Sequence, residues 1–119
     1  MNVADRDRLR HMLEAANDAL SFVEGRTRDD LRSSRLLVSA LTRQIEIVGE
    51  AASRTSPGCR MAIPGIPWPV VVGIRNRLIH AYFDVDLEIV WTTVTADFPD
   101  MVRVLESVLA ESGVEGGEE

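Results

Sequence analysis

Ten consecutive residues, Gly73-Ile74-Arg75-Asn76-Arg77-Leu78-Ile79-His80-Ala81-Tyr82, gather two arginines, an asparagine, one of the chain's two histidines and its only tyrosine. Histidine, with an unperturbed pKa of about 6.5, can move protons near neutral pH, and arginine is a permanent cation that holds phosphodiester oxygens in bidentate fashion. Together these side chains fit metal-independent RNA cleavage. In that reaction a base takes the proton of the 2′-hydroxyl, the 2′-oxygen attacks phosphorus, an acid protonates the leaving 5′-oxygen, and a cation stabilises the dianionic phosphorane. DNA lacks the internal nucleophile.

If the segment is one helix, Asn76 and His80 share a face, while Arg75 lies about 140° from His80 around the axis. Three arrangements reconcile that angle with joint action. The arginine reaches around the helix, the helix loosens near His80, or the working pair forms across a two-fold seam between two copies. A dimer would also bring two histidines to one cleft, one for the base and one for the acid. The same residues have a purely structural explanation, with Arg75 and Arg77 as surface arginines, His80 capping a helix C-terminus and Tyr82 at an amphipathic rim.

Four stretches must position this segment. From Ala4 to Glu24, apolar residues such as Leu9, Met12, Ala16 and Leu20 recur at helical steps between charges, which predicts an amphipathic helix. Asp29 or Asp30 can cap a second helix running to about Ser53. The stretch Thr55 to Pro69 holds Pro57, Pro64, Pro67 and Pro69 with Gly58 and Gly65, and is expected to form one long loop without a persistent regular element. Trp68-Pro69 opens the third helix, the one carrying the chemistry, because proline is tolerated at the first helical position. Its Val70-Val71-Val72 run can also be read as a strand, but a lone strand among helices would leave its backbone unpaired, so a helix is expected. Asp84 or Asp86 can cap a last helix from Leu87 to Glu111, kinked at Pro99. The expected fold is all-α, an antiparallel bundle of four to five helices over residues 1–112, with 113–119 as an acidic tail.

The chain has 119 residues, enough for one core, and no apolar run of the length a membrane span needs, so a single cytoplasmic domain is expected. Its formal charge of −6 runs against nucleic-acid binding, which usually brings a basic surplus. Four of the nineteen acids fall in the last nine positions, so the remainder of the chain is closer to neutral. All thirteen basic residues are arginine. The single Cys59 has no intramolecular disulfide partner and reads as a loop cysteine. No cofactor is expected, and no metal, since Asp, Glu and His do not cluster at ligand spacing around the motif.

The segment resembles the R-x-x-x-x-H-x-Y signature of HepT proteins, the toxin halves of HepT/MntA modules within the HEPN superfamily. Arg75, His80 and Tyr82 fall on the signature and Asn76 on the polar residue that follows its arginine. Ile47-Val48-Gly49-Glu50-Ala51 is similar to the family's I-G-E-A block, Ile66-Pro67-Trp68 to its I-P-W helix start, and Val85-Asp86 with Val90-Trp91 to its V-D and V-W continuation, so the likeness spans roughly Leu31 to Leu109.

The resemblance implies a HEPN-like fold and a homodimeric endoribonuclease toxin whose catalytic residues are Arg75, Asn76 and His80. It also implies a cognate MntA-type nucleotidyltransferase as antitoxin, with which a higher hetero-oligomer can form. Tyr82 becomes the acceptor of AMP groups from that antitoxin, and phosphates placed there would fill the cleft and repel RNA. Arg77 and Glu50 are supporting residues, Glu50 as a carboxylate able to pair with Arg75 or Arg77. Trp68 and Trp91 are expected as core anchors rather than stacking platforms, and His11 as a surface residue remote from the motif. An alternative keeps the fold but makes the chain a non-catalytic adaptor of a nucleotidyltransferase, which the acidic balance favours; a purely structural dimerisation protein is a further one.

Overall fold

A computed structural model describes residues 1–81 and 84–116 of the chain, with the backbone alone at 79–81, 84 and 112–116. Helix α1, Val3–Val23, starts where the Asn2 side chain accepts the Asp5 N–H at 2.7 Å. It ends before Gly25, whose φ of +75° lets the chain reverse where other residues would be strained. The expected second helix is two. α2, Asp30–Ser33, stops at Ser34, whose hydroxyl accepts the Leu37 N–H and starts α3, Arg35–Arg54. A serine inside an apolar pattern thus acts as a new N-cap.

The proline-rich connection is also more ordered than its composition suggests. Ser56 caps α4, Pro57–Ala62, with Pro57 in the first turn, a place where the missing N–H costs nothing. Arg60 returns to the C-terminal end of α3, donating to the Ser53 and Thr55 carbonyls at 2.8 and 3.0 Å. Counting four prolines as breakers missed that one of them is permissive.

Asp5 fastens α1 to this connection. Its carboxylate accepts the Ser56 N–H at 2.9 Å and the Ser56 hydroxyl at 2.6 Å. Burial opposes the charge, but the two Ser56 hydrogen bonds, helped by the N-terminal ammonium and Arg8, outweigh it and hold the carboxyl below its ordinary range. Burial, with Asp5 adding to it, pushes the Cys59 thiol of α4 up, so this cysteine stays protonated.

α1 packs most extensively on α3 and then on the last helix. Leu9, Met12, Leu41, Ile45, Val48, Val90, Val94 and Leu105 form the fully buried centre. Trp68 is 7% exposed and its indole N–H donates to the Ile63 carbonyl at 3.0 Å, so it is a core anchor, and Trp91 packs half-buried against the same core.

The expected third helix is broken twice. α5, Trp68–Val72, ends at Gly73, and α6, Ile74–Leu78, is one short turn. Ile79–Ala81 then form strand β1, paired antiparallel with β2, Asp84–Val85, in the register Ile79 to Val85 and Ala81 to Asp84. Asp86 caps α7, Leu87–Thr92, by accepting the Ile89 N–H at 3.1 Å. α8, Phe98–Gly116, follows and takes in the first four residues of the expected tail, while residues 117–119 lie outside the described ones. Between α7 and α8 the turn widens to a π-helix over Thr93–Asp97, closed by the Phe98 N–H on the Thr93 carbonyl. That wide turn sits directly ahead of Pro99, where the expected kink belongs, and gives the proline ring room against the preceding turn. The architecture is mostly helical, as expected, with a two-stranded ladder beside α6.

Candidate functional site

Gly49 on α3 sets the site's position. A Cβ there would meet Ile74 Cγ2 at 3.3 Å and the Val71 carbonyl oxygen at 3.4 Å, so the junction of α5 and α6 lies directly against the α3 backbone. Gly73 turns the chain at that junction, and its carbonyl accepts the Asn76 and Arg77 N–H groups at 3.1 and 3.3 Å. Ile74 and Leu78 point into the core as α6 closes, which leaves Arg75, Asn76 and Arg77 exposed. Arg75 and Asn76 face an open groove of about 600 Å³ between α1, α3 and the α5–α6 junction. Arg77 does not line it.

His80 is the middle residue of β1, not a helical residue. Asn76 and His80 therefore do not share a helix face, and the helix does loosen before His80, as one of the three arrangements foresaw. The backbone leaves helical geometry after Leu78, whose carbonyl accepts the Asp86 N–H at 2.8 Å and ties the returning chain to α6. The β-branched Ile79 suits an extended backbone better than a helix end. The expectation for Tyr82 falls outside the described residues.

The groove's electrostatics differ from those of the whole chain. Arg8, Arg43, Arg54 and Arg75 line it together with His11, against two carboxylates, Glu46 and Glu50. Glu50 is engaged by Arg54 at 2.8 Å, one helical turn away on α3. It does not pair with Arg75 or Arg77, as the sequence suggested, because its own i+4 neighbour is nearer. Arg75 instead has Glu46 at 3.9 Å, too long for a hydrogen bond, and its side chain stays 69% exposed. Such a contact orients the guanidinium without occupying its donors.

His11, expected to be remote, lines the same groove as Arg75 and Asn76. Arg8 and Arg43, which no motif singles out, line it as well. The signal was present as helical spacing, with Arg8 and His11 on α1 and Arg43, Glu46, Glu50 and Arg54 on α3, but a charged stripe on an amphipathic helix looks like an ordinary solvated face. Only the packing of α1 on α3 puts the two stripes side by side. Among the described residues no three His, Cys, Asp or Glu side chains are grouped so as to hold a metal ion.

The family described as Ribonuclease HepT-like matches residues 12–108, from the middle of α1 to the middle of α8 and across the whole α5–β2 segment. The chain belongs to the HepT-like ribonuclease family. Its relatives include a Methanocaldococcus jannaschii protein named "Putative RNase", 34% identical over 82% of this chain and 89% of its own length. Another, from Thermococcus cleftensis, is named "Probable ribonuclease HepT" and is 34% identical over 81% of this chain and 91% of its own length. A Caldanaerobacter subterraneus protein, also named "Putative RNase", is 30% identical over 87% of this chain and 93% of its own length. No solved structure matches the chain significantly. No helix among the described residues is long and apolar enough to cross a membrane.

Proposed function

We propose that this chain is the toxin component of a toxin-antitoxin pair, an endoribonuclease that cuts RNA without a metal ion at a cleft between two copies of itself. The observation that carries the reading is the exposed Arg75–Asn76 pair at a cationic groove, five and four residues before His80, in a HepT-like ribonuclease. Arg75 holds a non-bridging oxygen of the scissile phosphate, and its charge offsets the second negative charge that develops in the phosphorane. The Asn76 amide donates to the same phosphate. His80 of one subunit takes the 2′-hydroxyl proton and His80 of its copy delivers one to the 5′-oxygen. The 2′-oxygen–phosphorus bond forms, the phosphorus–5′-oxygen bond breaks, and the products end in a 2′,3′-cyclic phosphate and a 5′-hydroxyl.

In this reading a cognate MntA-type nucleotidyltransferase transfers AMP from ATP to the Tyr82 phenol, releasing pyrophosphate. The added phosphate, two residues from His80, competes with RNA for Arg75. Expression of the chain alone should arrest growth, and Arg75→Ala or His80→Ala should restore it. Equal toxicity of parent and variants would contradict the assignment. Co-expression with the nucleotidyltransferase should add the mass of AMP to the peptide holding Tyr82; an unmodified peptide from a neutralised toxin removes that part of the proposal. If His80→Ala leaves partner binding intact and the parent cuts no RNA, the chain is the adaptor instead.

A further inference from the structure

The groove extends well past Arg75 and Asn76. Arg8 and His11 of α1 and Arg43 of α3 also line it, and none of them belongs to the R-x-x-x-x-H segment. The two carboxylates in the groove lie near Arg54 and Arg75, and neither Arg8 nor Arg43 has an ion-pair partner among the described residues. Arg8 Nε is shielded from solvent and donates to no protein acceptor, a state it shares with Arg6 Nε outside the groove. Arg43 and His11 are exposed. A protein carrying six net negative charges thus gathers four of its arginines, against two carboxylates, in the groove that runs up to Arg75. Guanidinium groups present paired donors that match phosphate, and a row of them beside a phosphodiester-cutting pair fits the backbone of one nucleic-acid strand.

We infer that the α1–α3 wall formed by Arg8, His11 and Arg43 binds the phosphates of the RNA strand that flank the bond cut at Arg75 and His80, an inference that rests on the ribonuclease reading above. The guanidinium of Arg43 and the imidazole N–H of His11 take phosphates from the solvent side. Arg8, half-buried in the same groove, adds its positive charge beside them. Because these contacts lie away from the reacting phosphorus, they hold substrate and transition state alike, and their loss acts on KM and leaves kcat in place.

The test compares cleavage of a single-stranded RNA dodecamer with cleavage of a dinucleoside monophosphate, which has the scissile phosphate and no flanking ones. The variants are His11→Ala and Arg43→Ala, both at exposed positions, and Arg8→Met, which keeps the apolar stem. For the dodecamer, KM should rise about ten-fold in Arg43→Ala, the loss expected of one charged hydrogen-bonding contact, with kcat within about two-fold. Arg43→Lys should restore part of it, and the slope of log affinity against log salt should fall by about 0.7 for each arginine removed. The dinucleotide should be cut equally by parent and variants.

Unchanged dodecamer KM in all three variants, with the parent active, would overturn the inference and leave the ribonuclease reading intact. Equal loss on both substrates would also overturn it, because the wall would then be serving the fold or the chemistry. So would conversion of a parent dimer to a monomer by Arg43→Glu, measured by light scattering, since the wall would then belong to the contact between copies. A parent that cuts neither substrate sinks the ribonuclease reading and this inference with it.

Discussion

Arg75 is the residue on which the account turns, and its surroundings explain why it is available. It stands 69% exposed at the last turn before the chain becomes extended, with Glu46 at 3.9 Å as an orienting neighbour. At that exposure the pair is screened by water and is worth about 1 kcal/mol at most. Replacing Glu46 by Gln should therefore tighten RNA binding by about two- to five-fold, by removing a competing anion without releasing Arg75 from the groove. Fluorescence anisotropy with a labelled 2′-deoxy-blocked oligonucleotide checks this, and weaker binding would mean that Glu46 positions the arginine. Arg75→Ala should cost cleavage at least about 100-fold with the fold intact, as removal of a charge-stabilising donor does in other sites. Circular dichroism beside the rate measurement separates that from unfolding.

At the scale of elements, the amphipathic first helix, the Ser53 to Arg54 end of α3 and the Asp86 cap were legible in apolar spacing and capping residues, because those signals are local. The breaks were not. Ser34 looks like any polar residue in a helix until Leu37 N–H is seen on its hydroxyl, and the end of α6 depends on pairing with Asp84–Val85, which no local pattern encodes. Family likeness singled out Arg75, Asn76 and His80, whereas the groove that Arg75 and Asn76 face arises from two helices distant in sequence. Hence His11 read as remote and Glu50 as a partner of Arg75, until α1 and α3 are packed together. Gly49 controls that packing. Gly49→Val would drive a branched side chain against Ile74 and the Val71 carbonyl, and should lower stability by about 1–3 kcal/mol, seen as a lower urea midpoint with an unchanged slope.

Asp5 links two further elements and carries a pH signature. Its folded pKa is lowered, so its contribution to stability is fully present above its ordinary value of 3.8 and is lost as pH falls through the folded value beneath it. The near-isosteric Asp5→Asn should be less stable than the parent at pH 7, and the gap should close below that range. A constant gap from pH 7 to the acid end of the denaturation series would show that shape, not charge, holds Ser56.

For the whole molecule, the distribution of charge matters more than its total. The net charge of −6 argues against RNA as a partner only if charge is spread evenly, and the groove gathers four arginines against two glutamates. An acidic exterior around a cationic cleft confines a polyanion to one path and discourages indiscriminate nucleic-acid binding. The proposed mechanism draws acid and base from the His80 of two copies, and it predicts that activity falls on dilution through the dissociation range of such a dimer. Cleavage that is independent of protein concentration across that range would show that one subunit suffices.

The most direct measurement of the central claim is cleavage of purified total RNA by the chain freed of any antitoxin, in EDTA, beside His80→Ala, with end-group determination of the products. The account predicts cutting by the parent alone, leaving 2′,3′-cyclic phosphate and 5′-hydroxyl ends. No cutting by a folded, dimeric parent unmodified at Tyr82, or cutting abolished by EDTA, would contradict it.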